Sequence, residues 1–155
     1  MIQRIQSIYL LVTAFVAILF LNGEYLTFFD SSNTLISLKI NGVFTVSVLS
    51  LIGKIRNLLI LQTLCILIPI ISIVTIFLFS KRKVQMTLNK ILIILIIAFI
   101  CATCYYSFSI MSEHDATIGS WYKAIIPVIQ LIFAVLAYLA IKKDDNLVKS
   151  YDRHR

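Results

Sequence analysis

Two small constellations in this chain could carry chemistry. Cys101 and Cys104 form a C-x-x-C pair, a spacing that sets two sulfurs one helical turn apart, where a low-pKa thiolate and a resolving thiol can exchange disulfides. Their setting argues for another role. Both fall inside a long apolar run, where burial in hydrocarbon disfavours the thiolate. The polar connections hold no cysteine that could relay electrons to a substrate protein, so small packing residues are the stronger reading. Glu113, His114 and Asp115 are each capable of binding a metal, but adjacent side chains diverge and nothing nearby supplies a fourth ligand. They read as a solvated loop, and His154 as polar tail.

A second set of polar groups lies within the apolar runs: Gln62 and Gln130, with Thr63, Ser72, Thr75, Thr103 and Ser107. Such groups usually bond one helix to another, at roughly 0.6–2 kcal/mol each. Carriers and proton relays instead keep ionisable groups in the bilayer at considerable cost, and these runs contain none. No catalytic, metal-binding or cofactor-binding residue is expected, and no cofactor.

The elements that hold these residues follow from composition. The chain is 60% hydrophobic and 14% charged, against about 25% charged in soluble domains. Crossing roughly 30 Å of hydrocarbon takes about 20 apolar residues at 1.5 Å each. Between Arg4 and Glu24 lie 19 uncharged residues, between Arg56 and Lys81 24, between Lys90 and Glu113 22, and between Lys123 and Lys142 18. The expected fold is an all-α four-helix transmembrane bundle, a single membrane domain over 1–155, with spans near 5–22, 57–80, 91–111 and 124–141. No small-x-small cleavage site follows Phe20, so the first run is read as a retained span rather than a signal peptide.

Charge sets the expected orientation. With both termini and the second connection in the cytoplasm, that side holds ten of the fourteen basic residues. The acidic residues Glu24, Asp30, Glu113 and Asp115 offset the four basic ones opposite. The net charge of +7 thus reads as a topology signal and not as a nucleic-acid footprint. Tyr25, Phe28, Phe29, Tyr105, Tyr106, Phe108, Trp121 and Tyr122 cluster near the outer span ends, as interfacial aromatics do.

The outer segment 23–56 alternates apolar and polar residues over Thr34–Lys39 and Val43–Val48, around Asn41-Gly42. A three-residue loop of Ile40, Asn41 and Gly42, with Gly42 in a bulge, aligns Ile36 and Leu38 with Val46 and Phe44. The result is a small extracytoplasmic β-hairpin that caps the bundle, or that docks a partner through Leu38, Phe44 and Val46. At the inner end, Lys81, Arg82 and Lys83, then Lys142, Lys143, Leu147, Tyr151 and Arg153 in a tail over 142–155, are candidate contacts for anionic lipid or a partner. Pro69 and Pro127 are expected to free carbonyls and can kink the second and fourth spans.

The opening Met1-Ile2-Gln3-Arg4-Ile5-Gln6-Ser7-Ile8-Tyr9-Leu10-Leu11 and the ending Lys143-Asp144-Asp145-Asn146-Leu147-Val148-Lys149-Ser150-Tyr151-Asp152-Arg153 resemble the signature ends of a domain-of-unknown-function family of small four-span inner-membrane proteins from Bacteroidetes. Lys81-Arg82-Lys83-Val84-Gln85 is similar to that family's cytoplasmic loop. The resemblance covers the whole chain and implies four spans, a bacterial inner membrane and no assigned activity, so no site residues come with it.

The function expected from all this is a noncatalytic accessory or scaffold subunit of a larger integral membrane complex in the bacterial inner membrane, for export, envelope assembly or respiration. It is multi-pass with cytoplasmic termini, contacts anionic lipid at the cytoplasmic face and binds no nucleic acid. The alternative is a bundle that binds or transports a small molecule or lipid. A thiol-disulfide or quinone redox enzyme using Cys101 and Cys104 stands third.

Overall fold

The structure, a computed structural model, describes residues 3–20, 24–30, 34–46, 52–56, 58–79, 81–120 and 122–153. Helix α1 (Gln3–Phe20) leads into strands β1 (Glu24–Phe29), β2 (Leu35–Lys39), β3 (Gly42–Val46) and β4 (Ile52–Arg56). Helices α2 (Leu59–Phe77) and α3 (Arg82–His114), strand β5 (Thr117–Ser120), a 3-10 turn and helix α4 (Ile125–Arg153) complete the chain.

Three helical stretches, Leu59–Phe77, Arg82–Glu113 and Tyr122–Val148, are long and apolar enough to cross a membrane, and α1 has a shorter apolar stretch over Ile5–Leu19. Neither Gly nor Pro occurs between Arg82 and Asp115, so nothing interrupts α3. Its 33 residues run about 50 Å at 1.5 Å each. The run Lys81–Gln85 is therefore not the loop expected of it, because all but Lys81 sits in the first turn of α3. Asp115 ends that helix in the left-handed region at φ 45°, its N–H bonded to the Met111 carbonyl, a conformation that a short polar side chain tolerates. Pro127 is the third residue of α4, where a missing N–H has no helical partner to lose, so the expected kink has no cause there. Pro69 alone stands in a helix interior.

The helices form a ring in which α1 adjoins α2 and α4, and α3 adjoins the same two. Among the described residues no helix contains glycine, and close approach depends instead on the buried alanines Ala14, Ala17, Ala134 and Ala137. The outer faces carry large apolar side chains, among them Leu11, Phe15, Phe77, Ile94 and Phe108. A surface of that kind is stable against lipid rather than water.

The outer segment holds more than a hairpin. Five antiparallel strands form one sheet in the order β4-β3-β2-β1-β5, so a strand from the α3–α4 connection closes one edge. The hairpin register also differs from the expected one. Lys39 pairs with Gly42, Leu38 with Val43, Ser37 with Phe44 and Leu35 with Val46, a two-residue loop with no bulge in this pair. A shift of one residue exchanges the faces of a strand. Val43 consequently turns inward beside Leu38 and Ile36, while Phe44 lies on the opposite face with the Lys39 ammonium 5.5 Å from its ring centre. The inward bulk expected of Phe44 comes from β1, whose Leu26 and Phe28 pair with Leu38 and Ile36. Phe28, Ile36, Leu38 and Val43 join the same buried cluster as Leu61, Leu92 and Phe99 of the helices.

The expected aromatic belt is correspondingly smaller. Tyr25 and Phe28 are buried, and Tyr25 meets Phe99 edge-on with ring centres 6.1 Å apart. Tyr105, Phe108 and Tyr122 do project outward.

Candidate functional site

Opposite the sheet, the chain gathers its cations. The connection from α2 to α3 is only a few residues long, with the Lys81 N–H bonded to the Leu78 carbonyl at 3.0 Å. It brings the start of α3 against the far end of α4. There Arg82 donates from Nη1 to the Asp144 carbonyl at 3.3 Å, and its Nη2 lies 3.8 Å from Asp144 Oδ2. With side chains 27% and 14% exposed, the pair clamps α4 onto α3, so Arg82 is not the free lipid contact that its position suggested. About two turns further in, the Lys90 ammonium stands 5.8 Å from the Tyr138 ring centre. Lys81, Lys83, Lys142, Lys143 and Leu147 are exposed. Tyr151 and Arg153 continue the helix, and their side chains lie outside the described ones. As far as Arg153 the tail thus continues α4 as helix, with Asp144 still held against α3.

Between the helices runs a seam of buried polar groups. Gln6 donates to the Ala140 carbonyl at 3.2 Å, Gln130 to that of Thr13 at 3.0 Å, Ser72 to that of Leu10 at 2.6 Å and Asn89 to that of Ala134 at 3.1 Å. These bonds tie α1 to α2 and α4, and α3 to α4. The other Asn89 atom, Oδ1, is buried without a hydrogen-bond partner. Of the seam, only Gln130 and Ser72 were singled out from sequence. Gln6 and Thr13 stand inside the first apolar run without a charge to mark them, and Gln85 and Asn89 fall outside a span bounded at Lys90. Their signal was facial spacing: Gln6, Leu10, Thr13 and Ala17, and likewise Gln85, Asn89, Leu92 and Ile96, recur at alternating steps of three and four and are all buried.

The remaining polar candidates do not converge. Gln62 is half-buried near the start of α2 and Thr63 is exposed. Thr75, Thr103 and Ser107 each donate to the carbonyl four residues back on their own helix. Cys101 and Cys104 face outward from α3, whereas Cys65 is buried with Sγ 3.7 Å from the Ala17 carbonyl. Glu113 accepts a hydrogen bond from Ser109 at 2.9 Å. Among the described residues, no three His, Cys, Asp or Glu side chains come together. Nor do Leu38 and Phe44 share a docking face, since Leu38 is buried and Phe44 lies across the sheet from it, and the Val46 side chain lies outside the described ones.

Compared with known proteins, residues 2–154 match the family model described as domain of unknown function (DUF4293). No curated protein matches the chain.

Proposed function

We propose, for a chain that belongs to the DUF4293 family and inherits no activity from it, a noncatalytic accessory or scaffold role in a larger bacterial inner-membrane complex, serving export, envelope assembly or respiration. In this reading all four helices cross the bilayer, the sheet caps the extracytoplasmic side, and both termini lie in the cytoplasm. The cation-rich end opposite the sheet supports that orientation. Support for α1 as a fourth span is that it is tied to its neighbours from Gln6 to Ala17, along nearly its whole length.

The observation that carries the role is the direction in which the side chains point. Four buried polar side chains, Gln6, Ser72, Asn89 and Gln130, bond helix to helix, and Thr13, Thr75 and Thr103 bond their own helix, while the outward surfaces offer apolar area and a clamped, basic extension of α4. That suits contact with neighbours better than conversion or passage of a substrate. The test is purification of a tagged chain at native expression in mild detergent, with mass spectrometry of what accompanies it. One integral membrane partner at fixed stoichiometry is the expected result. Recovery of this chain alone, or with lipid only, overturns the subunit reading.

A second reading has one observation in its favour. An apolar groove of about 370 Å³ runs between α1 and α2, lined by Leu11, Ala14, Phe15, Ile73 and Phe77 among others, and would suit a small apolar ligand. The cavity lined by Gln62, Gln130 and threonines that this reading called for is not assembled.

A further inference from the structure

We infer that the outward groove of α4 over residues 139–147 is a headgroup site for an anionic phospholipid of the leaflet at the basic end. The inference deepens the membrane reading above and rests on it. The groove is shallow and open on one helix face, lined by Leu139, Lys142, Lys143, Asn146 and Leu147. At about 100° per residue these five project within an arc of roughly 140°. Asp144 and Asp145 fall outside that arc. Asp144 is turned against Arg82, and Asp145 is half-buried. Helix geometry thus keeps the Asp144 carboxylate off the groove, the clamp between α3 and α4 holds it there, and two ammonium groups and an amide line the groove.

This order of side chains matches a phospholipid lying along the helix. Leu139, exposed and apolar, stands on the bundle side, where an acyl chain would run. One turn beyond it, Lys142 and Lys143 offer up to three N–H donors each and Asn146 two more, at the level where α4 leaves the apolar zone. A phosphodiester takes both the charge and the donors. A zwitterionic headgroup would bring its own amine against the two lysines, so the site favours anionic lipid. The helical clamp fixes the spacing of the cations beforehand, which distinguishes a site from a diffuse positive surface.

The test uses the full chain purified in mild detergent. Native mass spectrometry counts the lipids retained from mixed micelles containing phosphatidylglycerol or phosphatidylcholine. With each lysine near a membrane surface worth about a factor of five, K142Q/K143Q should weaken phosphatidylglycerol retention by about 30-fold. K81Q/K83Q removes the same charge from the same end and should weaken retention far less than K142Q/K143Q does, and K142R/K143R should preserve it. Equal losses from the two glutamine pairs, or equal retention of phosphatidylcholine, would overturn the site while leaving the membrane reading intact. A chain that fractionates without detergent as a soluble monomer would overturn both.

Discussion

Replacing Asn89 by leucine should make this protein more stable, which is an unusual outcome for a fully buried polar residue. Asn89 donates one hydrogen bond, to the Ala134 carbonyl, and its Oδ1 has no partner. A buried acceptor without a partner costs about 1–3 kcal/mol. The bond that Asn89→Leu gives up is worth about 0.6 kcal/mol in a membrane bundle, and the Ala134 carbonyl keeps its place in the α4 ladder. Leucine is close in shape, so no sizeable cavity opens, and the balance favours the variant by roughly 0.5–2.5 kcal/mol. Asn89→Ala removes the same acceptor but leaves a void, and should gain less or lose. Unfolding in mixed micelles, titrating a denaturing against a mild detergent and following helix content, reads the difference. Destabilisation of Asn89→Leu by more than about 1 kcal/mol would refute the reasoning. It would mean that Oδ1 is engaged in the membrane, by ordered water or by a ligand, and that the seam does more than hold helices together.

Gly119 lies under Phe29, and a methyl group there would come within 2.5 and 2.8 Å of two ring carbons. Gly119→Ala should cost about 0.5–1.5 kcal/mol by forcing the ring from its rotamer, and Phe29→Ala should relieve most of the penalty, leaving the 3.2 Å approach to the Thr27 carbonyl, so additive effects in a double-mutant cycle would rule the ring contact out. Burial pushes the Tyr25 phenol up to about 12, against a smaller opposing effect from its hydrogen bond with Thr103. Its folded pKa thus lies above its unfolded value of 10: the contribution is fully present below pH 10 and is lost as pH rises toward 12. Tyr25→Phe should flatten that alkaline loss in a stability–pH titration, and an unchanged slope would place the loss elsewhere. For Arg82→Ala and Asp144→Ala the coupling should be no more than about 1 kcal/mol and should fall with added salt, because the pair is partly solvated; a salt-independent coupling would contradict that.

How much of this was legible beforehand follows the physics of each element. Apolar runs are counted against bilayer thickness, and α2, α3 and α4 announce themselves by length alone. Charge counting is blind to a helix that continues past a lysine, however, and so it leaves out the first nine residues of α3, Gln85 and Asn89 among them. Only the three-and-four spacing of the buried face reveals them. Strand pairing was harder because a hairpin read in isolation sees two strands. The choice between Val43 and Phe44 as the inward residue was made by β1, more than ten residues earlier in the chain, where Leu26 and Phe28 already fill the inner face. Thr117–Ser120 carried no alternation to mark it, and it pairs only because β1 presents an edge there, with the Thr27 and Ser120 hydroxyls 2.7 Å apart.

The same long-range logic governs the basic end. From sequence, Lys81, Arg82, Lys83, Lys142 and Lys143 form one undifferentiated positive region, and net charge predicts only a general attraction to anionic surfaces. Packing divides them. Arg82 is consumed by Asp144, which holds a carboxylate off the α4 groove and fixes the helical turn that spaces Lys142, Lys143 and Asn146. Removing Arg82 should therefore weaken the lipid site without touching it, by freeing Asp144 to compete with the headgroup for the lysines. Arg82→Gln should lower phosphatidylglycerol retention, and Arg82→Gln combined with Asp144→Asn should restore it. Asp144→Asn alone separates the two accounts: with the carboxylate already turned against Arg82 it should leave retention nearly unchanged, whereas a site built from charge alone would gain as much from it in the wild-type background as in the Arg82→Gln background.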